Sequence, residues 1–193
     1  METIKRWKWW LFAVILLGGA LAIYDHYRTY RENSQDAVIL AAGRRYGVDP
    51  ALVKAVVWRE SWFNPEAKGT SGEMGLMQIM KETANDWVKA ERVHLFTHFQ
   101  LFDPAKNTQA GAWYLQKLRG RYLRTDNPLP YTLAAYNAGP GHVAQWSKGA
   151  AATNSAAFVN QIGFPGTKKY VQEVTKRYER YRRVFPPRKR REE

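Results

Sequence analysis

The sequence predicts an all-α domain behind one apolar N-terminal helix, and three observations carry that expectation. Apolar residues recur at helical spacing from Ser34 to Val184, and no stretch alternates as a half-buried strand does. Asp49-Pro50 and Asp103-Pro104 both supply an N-cap followed by proline at the first helical position. Ahead of these lies an uncharged apolar run over residues 9–24.

That run follows the basic stretch 1–8, in which Lys5, Arg6 and Lys8 are clustered. About sixteen residues is near the lower limit for crossing a bilayer, and Trp7, Trp9, Trp10 and Tyr24 stand where interfacial aromatics belong. The run is read as an uncleaved membrane anchor with residues 1–8 in the cytoplasm. A cleaved signal peptide is the alternative, since Ala20-Leu21-Ala22 offers a small-residue cleavage site, and both readings export the rest of the chain. Residues 25–33 form a polar juxtamembrane connector and 34–184 the domain. Residues 185–193, with Arg188, Lys189, Arg190 and Arg191, form a basic tail.

Within the domain, Ser34 is expected to cap a helix carrying Ala37, Val38, Leu40 and Ala41, which Gly43 and Gly47 weaken. Asp49 opens the next, with Leu52, Val53, Val56 and Val57 on one stripe. Residues 83–93 form a short helix with Trp87 and Val88 inward. Asp103 starts a long one with Ala110, Trp113, Tyr114 and Leu118 on its apolar face. After a loop at Asn127, Pro128 and Pro130, residues 129–137 form a short apolar helix that Gly139-Pro140-Gly141 terminates. A further helix ends near Ile162, and Thr167 caps a last one with Tyr170, Val171, Val174, Tyr178 and Tyr181 on one side.

Glu60 lies one turn beyond Val56 and Val57, so its carboxyl continues a stripe that should be buried, close to Trp62 and Phe63. Burial without a cation raises a carboxyl pKa, and a carboxyl still protonated near neutrality can protonate a leaving group. Glu60 is therefore a candidate general acid. The plainer alternative is a glutamate solvated or paired with Arg59.

Three blocks decide between them. Residues 60–67 read Glu-Ser-Trp-Phe-Asn-Pro-Glu-Ala, 75–80 read Gly-Leu-Met-Gln-Ile-Met, and 134–141 read Ala-Ala-Tyr-Asn-Ala-Gly-Pro-Gly. In this order, they resemble the catalytic domain of the SLT-type lytic transglycosylases, which cut peptidoglycan glycan strands, over roughly residues 36–180. The resemblance implies a lysozyme-like helical fold and a reaction run by one glutamate, Glu60. That carboxyl protonates the β-1,4 glycosidic oxygen between N-acetylmuramic acid and N-acetylglucosamine. It then takes the proton of the muramoyl C6 hydroxyl, which attacks C1 and leaves a 1,6-anhydro end. Ser61 would support the site beside the acid, Gln78 and Met80 would line the sugar groove, and Tyr136 and Asn137 fall in the block whose tyrosine approaches the acid and the bound sugar, both being substrate-binding candidates. Tyr170, in the partly matching block 162–171, is a further substrate-binding candidate.

Taken singly, each has a structural reading: Met77, Ile79 and Met80 as core, Asn137 as a helix C-cap, Tyr136 as a packed aromatic. Departures from the family pattern are Gly163, Gly166 and Lys168 in that last block, Lys81 after the methionine, and Gly69 nine residues beyond the acid. Gly166 stands where the family often has glutamate, so that residue's sugar contact is not carried over to this chain. Glu73, in the turn that should line the cleft, is a candidate second carboxylate.

Composition narrows the partners. With 30 Lys and Arg against 17 Asp and Glu, the net charge of +13 favours polyanions: nucleic acid, anionic lipid or wall polymer. Export and the dispersal of Lys and Arg argue against nucleic acid. A solvated tail is the default for residues 185–193, and binding to anionic lipid or wall polymer is its functional version. The absence of cysteine excludes disulfides and thiolate metal sites, and His94 and His98 have one-turn spacing but no third ligand, so no metal or cofactor is expected. The alternatives to a membrane-anchored transglycosylase on the envelope side of a bacterial inner membrane are a hydrolysing lysozyme of the same fold and a non-catalytic wall-binding or secretion-assembly factor.

Overall fold

A computed structural model describes residues 2–185, so all of the basic tail but Phe185 lies outside the described residues. The chain divides into two units, residues 1–35 and 36–193.

The first unit is helix α1, Glu2–Asn33. From Trp9 onward it is long and apolar enough to cross a membrane, and none of that window is buried within the molecule. Helix continues through residues 25–33, the stretch expected to be a connector. Arg31 reaches back to the Tyr27 hydroxyl at 2.9 Å, one turn away. Ser34 closes this helix, its hydroxyl donating to the Arg31 carbonyl at 2.8 Å, where it was expected to cap the next one.

The second unit holds α2 (Asp36–Tyr46), α3 (Pro50–Ser61), α4 (Lys81–Glu91), α5 (Pro104–Gly120), α6 (Pro128–Ala138), α7 (Pro140–Trp146), α8 (Ser155–Gln161) and α9 (Pro165–Val184). Two single 3₁₀ turns, His98–Phe102 and Gly149–Ala152, join them. Among the described residues no strand forms, and residues 67–80 carry only the isolated bridges Lys68 to Met74 and Met74 to Ile79. The all-α expectation is met.

Helix α3 organises this unit. Asp49 accepts from the Ala51 N–H at 2.9 Å, which caps the helix as expected. Every residue from Ala51 to Val57 is buried, so the helix is enclosed all round instead of showing one apolar stripe. It packs on α9, α2 and α5, while α6 packs on α5, α7 and α9. Lys54 is only 2 % exposed, with its ammonium 2.6 Å from Asp36 and 4.5 Å from the centre of the Phe185 ring.

Several boundaries differ from expectation for local reasons. Gly43 does not weaken α2; a Cβ there would meet the Val48 carbonyl at 2.8 Å and the Pro50 ring at 2.9 Å, so this glycine lets the α2–α3 turn pack closely. Gly139 ends α6 as expected, at φ 86°, yet Pro140 also opens α7. Helix α9 begins at Pro165, two residues before Thr167, and its cap residue Phe164 makes no side-chain cap bond. Thr167 is buried and serves the site described next.

Candidate active site

Glu60 occupies the last turn of α3. The helix stops just after it because Trp62 and Phe63 both take left-handed backbone conformations, at φ 50° and 62°. For bulky residues this is strained backbone, held by the burial of Phe63 and by the Trp62 N–H donating to the Trp58 carbonyl. The chain then crosses to residues 67–80. Ser61, next to the acid, ties the two segments together by donating to the Leu76 carbonyl at 2.8 Å.

The turn at 74–78 is held from several sides. Buried Asn107 of α5 accepts from the Met77 N–H at 2.7 Å and donates to the carbonyls of Met74 and Leu101, both at 2.8 Å. Gln78, itself at φ 47°, donates from Nε2 to the carbonyls of Gly75 at 2.9 Å and Ala67 at 3.2 Å. From α6, the Tyr136 hydroxyl donates to the Met77 carbonyl at 2.8 Å. Met77 and Ile79 are core residues, whereas Met80 is 37 % exposed.

These segments enclose a groove of about 540 Å³ whose lining includes Glu60, Glu73, Gln78, Met80, Tyr136 and Asn137. Four of the six expected substrate-binding residues are thus brought beside the acid. Ser61 and Tyr170 stand outside that lining. Tyr170 of α9 is 1 % exposed, and its hydroxyl donates to Glu60 Oε1 at 2.6 Å. It is the hydrogen-bond partner of the acid, whereas Tyr136, expected to approach the acid, shares the groove lining with it. Asn137 is not a C-cap; its Oδ1 accepts from the Thr167 hydroxyl at 2.7 Å, which fixes α6 to α9 below the groove.

Burial pushes the Glu60 carboxyl up from 4.5 to about 7, opposed by the Tyr170 hydrogen bond and the Arg59 charge and assisted by Glu73. Arg59 does not pair with it. Its Nε donates to Glu173 at 2.9 Å and its guanidinium lies over the Tyr170 ring, so this cation is largely compensated elsewhere. Burial also raises the Tyr136 and Tyr170 hydroxyls well above their ordinary range, with the Glu60 charge adding to it, and both stay neutral donors. A half-buried carboxyl that is protonated in part at neutral pH, facing a groove, can give a proton and take one back.

An equally large cavity is lined by Asp49, Arg119, Tyr178 and Arg182. There Asp49 is committed to capping α3, to the Tyr178 hydroxyl at 2.9 Å and to Arg182 at 3.7 Å. Among the described residues no group of three His, Asp or Glu side chains converges, and His98 bonds Asn85 at 3.1 Å.

The sequence matches the family model for the transglycosylase SLT domain over residues 37–159. The chain belongs to the SLT transglycosylase family. The SLT domain here is 39 % identical over 140 residues to the soluble lytic murein transglycosylase of Escherichia coli (strain K12), covering 72 % of this chain and 21 % of that protein. It is 32 % identical over 170 residues to membrane-bound lytic murein transglycosylase C of Edwardsiella ictaluri (strain 93-146), covering 76 % and 46 %. Lytic transglycosylase Slt from Pseudomonas aeruginosa, solved as an inactive mutant, superposes with a TM-score of 0.69 at 29 % identity over 78 % of this chain and 24 % of that one. A 70-kDa soluble lytic transglycosylase in complex with bulgecin A gives 0.73 at 30 % identity, over 86 % and 26 %. The expected lysozyme-like SLT fold is therefore found, and the chain spans between about a fifth and a half of the length of these relatives.

Residues that sequence reasoning missed include Thr83 and Tyr114 of the groove lining and Asn107 beneath it. Tyr114 was assigned to an apolar face, and its ring meets that of Tyr136 at 5.6 Å. An asparagine followed by threonine inside a helical run, with no solvent-facing pattern, was the signal for Asn107.

Proposed function

We propose that this chain is a membrane-anchored lytic transglycosylase that cleaves the β-1,4 bond between N-acetylmuramic acid and N-acetylglucosamine in peptidoglycan. The observation that carries the reading is the half-buried Glu60 carboxyl, shifted to about 7 and bonded by Tyr170 at the edge of a sugar-sized groove. Protonated Glu60 donates to the glycosidic oxygen as the C1–O bond breaks, and the positive charge that develops at C1 is stabilised by the substrate's own N-acetyl group. The resulting Glu60 carboxylate accepts the proton of the muramoyl C6 hydroxyl while O6 bonds C1, leaving a 1,6-anhydro end and restoring the acid. Tyr170 steadies the carboxylate between the two transfers. Gln78 offers its amide oxygen, Met80 a thioether face and Asn137 its amide NH₂ to the sugars.

The apolar α1 and a membrane-bound relative support anchoring, and Lys5, Arg6 and Lys8 ahead of the apolar run favour a cytoplasmic N-terminus with the SLT domain on the wall side of the inner membrane. The basic tail would then add affinity for anionic lipid or wall polymer. Digestion of purified sacculi, with mass spectrometry of the soluble products, tests the reading. Anhydro-muramoyl ends, lighter by one water than reducing ends, are expected; reducing ends alone would make the enzyme a hydrolase, and no release would make it a wall-binding factor.

A further inference from the structure

Glu60 shares its groove with one other carboxylate, that of Glu73. This side chain folds back over its own turn. Its Oε2 accepts from the Ser71 N–H at 2.9 Å, while its backbone carbonyl accepts from the Gly69 N–H at 2.8 Å. A Cβ at Gly69 would sit 2.1 Å from Glu73 Oε2 and 2.9 Å from Gln78 Oε1. The glycine therefore leaves the space that the carboxylate fills, and the two acceptors, Glu73 and Gln78, lie against the same wall. Among the described residues Ser71 is the one hydrogen-bond donor to this carboxylate, which leaves Oε1 without a protein partner. A carboxylate held by a backbone N–H, with a second oxygen unclaimed in a groove, is an acceptor in search of a donor.

We propose that Glu73 is a substrate-positioning residue, whose Oε1 accepts a hydrogen bond from a hydroxyl or acetamido N–H of the bound amino-sugar strand. The assignment rests on the transglycosylase reading above and adds a binding contact to it. A glycan is rich in such donors and carries few competing cations, so a fixed anion discriminates it by geometry. Glu73 also faces Glu60 electrostatically. The charged or titratable groups around Glu60 are Arg59 on its own helix, Tyr170 on α9, Tyr136 on α6 and Glu73 on the turn, and Glu73 among them favours the protonated acid. Its removal lowers the pH at which Glu60 loses its proton.

The test is steady-state cleavage of purified uncrosslinked glycan strands by the full chain in mild detergent, for wild type, Glu73→Gln, Gly69→Ala, Glu73→Ala and the Gly69→Ala/Glu73→Ala double variant. Glu73→Gln is expected to raise KM about tenfold, the worth of one hydrogen bond to a charged group, with kcat within about threefold of wild type. The alkaline limb of its rate profile should move to lower pH. Gly69→Ala, which displaces the carboxylate, should reproduce the KM defect in the wild-type background and add little to Glu73→Ala. Unchanged KM in Glu73→Gln, a loss confined to kcat, or equal Gly69→Ala effects in both backgrounds would overturn the assignment. Wild-type enzyme inert on the strands would instead overturn the transglycosylase reading itself.

Discussion

Replacing Glu60 with glutamine should make the protein nearly inert and, at alkaline pH, more stable. The sign follows from proton linkage. When exposed, this carboxyl gives up its proton near 4.5, but in the fold it holds the proton to about 7. Between those values the unfolded chain binds fewer protons, so the free energy of unfolding falls as pH rises, and the full cost is present once both states are ionised. At 1.36 kcal/mol per pH unit that cost is about 3 kcal/mol at most; Glu60 is partly open to the groove, so about 1.5–3 kcal/mol is the expected range. Glutamine does not titrate, keeps the side-chain shape and still accepts from Tyr170. Part of that cost is already present at pH 5, so the stability difference between variant and wild type, measured by urea unfolding in mild detergent, should grow by about 1–2.5 kcal/mol from pH 5 to pH 8. Clearance of sacculi should fall on the order of 10²–10⁴-fold. A stability difference that is the same at both pH values would refute the buried-acid reasoning, and near-normal clearance would remove Glu60 from the chemistry.

Tyr170→Phe deletes a hydrogen bond that favours ionised Glu60, so the carboxyl should titrate higher and the alkaline limb of the rate profile should move up by about one pH unit, as read from clearance rate against pH. Asp36→Ala removes the carboxylate that lies 2.6 Å from the buried Lys54 ammonium and should cost about 3–5 kcal/mol, seen as a lowered thermal midpoint by circular dichroism. Asn107→Ala leaves the Met77 N–H and the Leu101 carbonyl without their buried partner, a loss of about 3 kcal/mol or more by urea unfolding. Its activity should fall even at temperatures where the variant remains folded, because the turn under the groove is released.

Helix positions were legible because their signals are local. Asp49 and Asp103 cap the helices that their prolines open; Asn127 does the same before Pro128, although Asn127, Pro128 and Pro130 were expected to form a loop and the helix to begin at residue 129. What failed depends on contacts distant in sequence. Thr167 looks like a cap, yet a proline two residues earlier can start the helix first, and the freed hydroxyl then meets Asn137 thirty residues away. The same holds in the site. Glu60 could be found from its stripe and its motif, whereas the identity of its hydrogen-bond partner depends on α9 packing against α3. No spacing rule could tell Tyr136 from Tyr170, because both are tyrosines on apolar helix faces far from the acid in sequence.

The hydrogen bonding around the groove divides the site residues by what they can still offer. Ser61, Gln78 and Tyr136 all direct their donors to backbone carbonyls of the segment 67–77, and Asn107 satisfies that segment from beneath. These side chains therefore hold the turn first, and toward a ligand the Gln78 amide is left chiefly as an acceptor. Such a turn can tolerate left-handed Gln78 and the strained exit of α3 because its conformation is fixed by several independent bonds. Rigid walls keep solvent from following Glu60 inward, and exclusion of solvent is the main cause of its raised pKa. Loosening any one of these ties should thus act on the proton before it acts on the sugar. A variant such as Ser61→Ala is expected to shift the alkaline limb of the rate profile downward, toward the ordinary carboxyl range, by a measurable fraction of a pH unit. A pure rise in KM with an unmoved limb would show instead that Ser61 shapes only the binding surface.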